Sequence, residues 1–191
     1  MKKIPDNTAL IIIDVQKAMD DPAMGERNNP QAEKNIAKIL KNWRETGRPV
    51  FHIQHVSWRK GSIYSEDSPG CEIKDFAKPH KDEPLIQKHF QSAFIGTELG
   101  QLLENAKLNN LIFAGFLTDQ CVASTVEVAN NALYNVFLVA DACGTIDCPG
   151  YNGKLYKADD IHNQMLGNLQ RDGVTILETK ALLEALKKAK T

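Results

Sequence analysis

Residue types that together can perform nucleophilic acyl chemistry lie far apart in this chain: an acid in Asp14 or Asp141, a cation in Lys88 and a cysteine in Cys121. Each closes or follows an apolar run. Asp14 ends the run at 8–13, Lys88 ends a short segment at 85–88, and Cys121 follows the run at 111–114. Between that last run and Cys121 come a break at Gly115 and a polar cluster, Thr118-Asp119-Gln120, that reads as the start of a helix. A cysteine in the first turn of a helix faces unpaired backbone N–H groups and a partial positive charge. Both favour thiolate over thiol, so the spacing predicts a lowered pKa for Cys121, and the same N–H groups can hold an oxyanion. An acid, a cation and a cysteine are the parts of a nucleophilic hydrolase. Gln16, His55 and Asp141 stand at further expected strand ends. Every one of these has an ordinary alternative: aspartates cap turns, lysines are solvated, and free cysteines are often simply buried.

The elements that would position these residues alternate. Apolar runs at 8–13, 50–56, 85–88, 110–115, 136–140 and 174–177 read as strands, the first apolar on both faces and so central in a parallel sheet. Helical spacing follows Pro30 to about Glu45, Thr97 to about Ala106, Cys121 to about Tyr134, Asp159 or Asp160 to Leu169, and Lys180 to Lys190. Thr97 and one of Asp159 and Asp160 are the expected N-caps. The pattern predicts an α/β protein: a three-layer α/β/α sandwich around a Rossmann-like, mostly parallel sheet of about six strands. In such sheets the carboxyl ends of the strands share one edge, where ligands bind. Residues 57–84 form a long connection rich in Gly, Ser and Pro, with Trp58 and Tyr64 among them. A connection of that length is expected to cover the site. A second Gly/Pro-containing loop runs over 143–156.

Composition narrows the class. The 191 residues fit one domain over the whole of 1–191, and a net charge of −1 gives no electrostatic case for nucleic acid or a membrane surface. Met1 to Ile13 carries too short an apolar stretch for a signal peptide or a span. The four cysteines show no C-x-x-C or zinc-finger spacing. A cytoplasmic protein with reduced thiols is the expectation.

Three motifs carry a resemblance. An apolar strand ends in Asp-x-Gln at Asp14-Val15-Gln16. Lys88 opens a Lys-x-x-x-Ser-Ala-Phe stretch closing on Phe94. Gly115 to Thr125 reads Gly-x-x-Thr-Asp-x-Cys-Val-x-x-Thr. In this order they resemble the isochorismatase-like cysteine hydrolase superfamily over nearly the whole chain. The resemblance implies a catalytic triad of Asp14, Lys88 and Cys121, and an oxyanion hole from the backbone N–H groups of Leu117 and Cys121. It also implies a cis peptide between Phe116 and Leu117. Gln16, His55, Trp58, Tyr64, Phe94 and Thr118 are candidate substrate-binding residues.

Nicotinamidases of this superfamily hold a metal with an aspartate and histidines at the end of the second strand. Here that segment reads His55-Val56-Ser57, so no metal, no cofactor and no nicotinamide substrate are expected. The chain is similar instead to a branch that includes streptothricin hydrolase. The implied reaction is hydrolysis of an amide or related C–N bond in a small molecule. The alternatives are vinyl ether hydrolysis of the isochorismatase type, a redox thiol, and a non-catalytic binding or assembly module. Dimers or tetramers are common in the superfamily, so a homo-oligomer is expected as well.

Overall fold

The computed structural model describes residues 4–189. Met1 to Lys3 and Lys190, which the sequence reading takes as the chain start and the end of the last helix, lie outside the described residues. Six strands form the main sheet: β1 (Thr8–Ile13), β2 (Val50–His55), β3 (Leu85–Lys88), β4 (Asn110–Phe116), β5 (Asn135–Gly144) and, after a small ribbon, β8 (Thr175–Leu177). Their order is β3-β2-β1-β4-β5-β8, and each pairing within this sheet is parallel. The ribbon pairs β6 (Cys148–Pro149) with β7 (Leu155–Tyr156) inside the second loop.

The side-chain period of two explains the layers. Leu10 and Ile12 of β1 pack on one face against Ile36, Ile39, Leu40 and Trp43 of α1 (Ala32–Arg44) and Leu182, Ala185 and Leu186 of α5 (Thr179–Ala189). Ala9, Ile11 and Ile13 pack on the other, against Leu99 and Leu103 of α2 (Leu99–Asn105), Val126 and Ala129 of α3 (Ala123–Asn131) and Leu169 of α4 (Ala158–Arg171). A strand covered on both sides must be apolar throughout, and all six residues of β1 are buried.

Several local expectations are corrected. Thr97 sits one residue before the cap position of α2, where its hydroxyl accepts from Leu99 N at 3.2 Å. Asp159 and Asp160 lie within the first turn of α4, and the Ala158 N–H is capped from outside by Asp147 Oδ1 at 2.8 Å. Asp141 lies inside β5 rather than at its end. The register slips between the pairs Phe113–Leu138 and Gly115–Cys143, so β5 bulges and then continues. The Asp141 carboxylate accepts from Thr179 N and Oγ1 at 2.7 Å and from Asn35 Nδ2 at 3.0 Å, which ties α5 and α1 to the sheet.

The strand order reverses direction between β1 and β4, the topological switch point at which open α/β sheets bind ligands. Gly115 makes this junction possible. It lies opposite Ile13 with φ of 138°, and a Cβ there would fall 2.0 Å from the Ile13 carbonyl oxygen. No other residue fits that approach.

Residues 57–84 are pinned to the sheet edge. Lys17 N donates to Glu72 O at 2.8 Å and Lys74 N to Val15 O at 3.0 Å, so the loop runs antiparallel beside the segment after Asp14. At its far end Glu83 meets Arg44 through two 2.7 Å bonds and His52 Nε2 at 2.8 Å. Burial opposes that charge, but Arg44, the His80 N–H and His52 hold the carboxyl down at about 2. Among the described residues no helix is long and apolar enough to cross a membrane.

Candidate active site

Asp14 leaves β1 in the left-handed region, φ 50°, a conformation that aspartate tolerates better than most residues. Its N–H donates to Ile53 O at 3.0 Å and its carbonyl accepts from Gln16 N at 2.9 Å. The chain thus turns sharply over the sheet end and leaves the carboxylate beside it. Lys88 arrives from the edge strand β3, with β2 between it and β1, a gap of about 4.8 Å per strand that only a long side chain can cross. The lysine is fully buried, with Nζ 2.8 Å from Asp14 Oδ2 and 3.2 Å from Phe90 O.

Cys121 comes from the opposite side of the switch point. The Phe116–Leu117 peptide is cis. The segment Thr118–Val122 forms a π-helical turn in which the Val122 N–H reaches Leu117 O at 3.1 Å. Cys121 therefore stands in a widened turn ahead of α3, not in the first turn of a regular helix, a type of distortion frequent at functional sites. The second and third motifs interlock here: Thr125 Oγ1 accepts from Ala93 N at 3.0 Å and donates to Cys121 O at 2.6 Å.

The electrostatics correct one expectation. The Cys121 thiol is pushed up to about 12, first by burial and then by Asp14, and the ammonium of Lys88 offsets this only in part. Lys88 itself stays above its ordinary value, because Asp14 and Cys121 outweigh the effect of burial. The resting site is thus an Asp14–Lys88 ion pair beside a neutral thiol. Helix-end geometry alone predicts a thiolate; burial, and after it the carboxylate next door, reverses that. Asp14 Oδ1 is buried and has no hydrogen-bond partner, so one acceptor of this carboxylate stands vacant.

Asp14, Leu117 and Cys121 line a cavity of about 350 Å³; Lys88, paired to Asp14, is not among the lining residues. Of the expected substrate-binding residues, His55 and Tyr64 line it, their rings edge to face at 5.5 Å. The other four do not. Gln16 spends its amide on His55 O and Cys71 O at 2.9 and 2.8 Å and accepts from His55 N at 2.8 Å. Trp58 lies outside, stacked on His89 at 4.5 Å, and Phe94 packs towards Tyr134, both half-buried against the core. Thr118 is fully buried and bonds His162 Nδ1 at 2.8 Å. Met24, Gln91, Phe116, Gln120 and Ile146 complete the wall. Gln91 and Gln120 occupy unassigned positions inside the second and third motifs, and that was the available signal for them.

His55, His52 and His162 are each held below the ordinary value of 6.5, chiefly by burial. Below that value the unfolded chain binds protons that the folded protein refuses, so stability falls as pH drops. The expected result is a lower melting temperature at pH about 5.5 than at about 7.5, with a smaller difference in His52→Gln. Equal melting temperatures would contradict it.

At the end of β2, where nicotinamidases place metal ligands, Ser57 Oγ accepts from Arg59 N at 3.2 Å. Among the described residues no three His, Cys, Asp or Glu side chains group to hold a metal. The four cysteines are free; Cys143 is buried in β5 and Cys148 is exposed on the ribbon.

Comparison with known proteins gives the family. The Isochorismatase domain model matches residues 8–181. The chain is 39% identical over 178 residues to the isochorismatase family protein YrdC of Bacillus subtilis, covering 93% of this chain and 95% of that one. It is 30% identical over 148 residues to a streptothricin hydrolase of Streptomyces noursei, covering 76% of this chain and 57% of that protein. An isochorismatase-family protein from Chromobacterium violaceum superposes with a TM-score of 0.94 at 37% identity, over 98% of this chain and 97% of that one.

Proposed function

Because this chain belongs to the isochorismatase family of hydrolases, we propose that it cleaves an amide or related C–N bond of a small neutral molecule through an acyl-enzyme on Cys121. The observation that carries this is Asp14, paired to the buried Lys88 and with an unused carboxylate oxygen, lining the same cavity as Cys121. Asp14 takes the thiol proton as Cys121 sulfur bonds to the substrate carbonyl carbon. The carbonyl oxygen becomes an oxyanion held by the Leu117 and Cys121 N–H groups. The proton then passes from Asp14 to the amine nitrogen as the C–N bond breaks and the thioester forms. Water, losing a proton to Asp14, attacks that thioester; the C–S bond breaks and the proton returns to sulfur. Lys88 keeps its charge throughout and steadies whichever neighbour is anionic.

The cavity favours this over vinyl ether hydrolysis of an anionic substrate. Among the described residues Asp14 is the one acidic or basic side chain apart from His55, Tyr64 and Cys121 that lines it; Lys88 is matched by Asp14, and Arg27 pairs with Glu33 at 2.9 Å. A carboxylate substrate would meet like charge, whereas His55, Tyr64, Gln91 and Gln120 offer neutral hydrogen bonding. The similarity to a protein named streptothricin hydrolase agrees with a hydrolytic reaction. The test is a panel of small neutral open-chain and cyclic amides, read as amine released. The wild-type protein should turn over members of it, and Cys121→Ala should lose at least about 10³-fold. Turnover that survives in Cys121→Ala would overturn the assignment.

A further inference from the structure

His162 is a buried titratable group that these steps do not use. It projects from α4 with Nδ1 2.8 Å from Thr118 Oγ1 and Nε2 3.3 Å from Asn29 Nδ2. The Asn29 amide nitrogen also lies 2.7 Å from Cys143 O and 3.2 Å from Ala140 O. Carbonyl oxygens only accept, so the atom placed there must be the nitrogen, and it can only donate. Its two hydrogens are shared among the two carbonyls and the ring, and a hydrogen on His162 Nε2 would face a donor, so Nε2 is the unprotonated nitrogen. That leaves Nδ1 to carry the ring hydrogen and donate it to Thr118 Oγ1 at 2.8 Å. Thr118 follows Leu117 directly and opens the turn that carries Cys121. Asn29 is itself fixed in the left-handed region, φ 46°, with its amide locked on the end of β5.

We propose that His162 is a positioning residue: as the neutral Nδ1–H tautomer it fixes Thr118, and through Thr118 the Leu117–Cys121 turn that receives the oxyanion. Protonation would add a hydrogen to Nε2 and set two donors face to face across 3.3 Å. Burial lowers the pKa of the ring. The ionised groups acting on it are Asp159 of its own helix and Asp119 of the turn, and both pull the pKa up without prevailing. From the remaining sides the Asn29 segment and β5 present an amide and carbonyl groups. The clamp is closed at neutral pH and opens on acidification.

This inference rests on the acyl-enzyme reading, and its test separates the two. In the full chain, acylation of Cys121 by p-nitrophenyl acetate needs an oxyanion hole, whereas alkylation by iodoacetamide, a displacement at a saturated carbon, does not. His162→Leu should lower the ratio of acylation to alkylation by roughly tenfold or more at pH about 7.5. His162→Asn, whose amide nitrogen can stand where Nδ1 stood, should recover much of it. In the wild-type protein, ¹⁵N NMR of histidine should show His162 neutral and protonated on Nδ1. An unchanged ratio in a folded His162→Leu protein, or no recovery by His162→Asn, overturns the proposal. So does a wild-type Nε2–H tautomer, which decides the matter even if His162→Leu fails to fold. Wild-type acylation that persists in Cys121→Ala removes the acyl-enzyme reading and this inference with it, and that failure is visible in the control before any His162 variant is compared.

Discussion

Asp14→Asn is expected to speed the alkylation of Cys121 while abolishing hydrolysis. Two opposed effects from one neutral, nearly isosteric change follow from the charge balance of the site. Burial and the Asp14 carboxylate raise the thiol to about 12, and Lys88 pulls the other way. Removing the carboxylate leaves Lys88 facing the sulfur alone, so the thiol becomes more acidic. Each unit of that fall multiplies the thiolate fraction at neutral pH about tenfold. Iodoacetamide reads thiolate directly. Hydrolysis needs something else: a base that accepts the thiol proton and returns it to the leaving nitrogen. Asparagine cannot do this, so turnover should drop by about 10²–10⁴-fold. Measured side by side, alkylation should rise and turnover should collapse. Alkylation that slows in Asp14→Asn would mean that the carboxylate promotes the thiolate, contrary to the electrostatics of the resting site.

Lys88→Met should be the most damaging single change to stability. Lys88 is fully buried and its ammonium is the ion-pair partner of an Asp14 side chain only 5% exposed. Deleting one partner of such a pair strands a carboxylate away from water, at a cost of about 3–5 kcal/mol. For a chain of this size that corresponds to a melting temperature lower by about 6–20 °C. Protonation of Asp14 would relieve part of the cost, but only by removing the base that the chemistry needs, so activity should be lost even where the fold survives. Lys88→Arg should not restore it. The guanidinium is a planar fork, whereas this site is built for a compact point charge between Asp14 and the Phe90 carbonyl. The double variant Lys88→Met with Asp14→Asn, which removes both charges, should recover stability over Lys88→Met without recovering turnover. A Lys88→Met protein as stable as the wild type would show that the pair is far more hydrated than its burial implies.

The six strands were legible because each is an apolar run with a polar stop, and β1 announced its central place by being apolar on both faces. The residues that meet at the site were legible for the same reason: strand-end positions converge in a parallel sheet. The state of Cys121 was not. A sequence shows that a carboxylate and a cation are near, but which of them outweighs the other depends on burial, and burial is a property of the folded site. The fate of polar side chains was hidden in the same way. Gln16 and Thr118 carry the right chemistry to meet a ligand, yet both are consumed internally, one pinning the loop at Cys71 and the other bonded to His162. Conversely, Met24 and Ile146 reach the cavity from segments whose path no periodicity fixes. Asp141 was misplaced because a bulge carries β5 past the point where its apolar run is interrupted. Likewise the widened turn at Thr118–Val122 depends on a backbone bond between residues five apart, Val122 N–H to Leu117 O, with no signature in residue type.

The most direct measurement is intact-protein and peptide mass spectrometry of enzyme quenched in acid while it turns over p-nitrophenyl acetate. An acetyl group on Cys121 that forms and decays at rates matching turnover, is absent from Cys121→Ala and accumulates when deacylation is slowed is the result expected. Product release at the wild-type rate with no adduct on Cys121, or with the adduct on another residue, would contradict a covalent role for this cysteine.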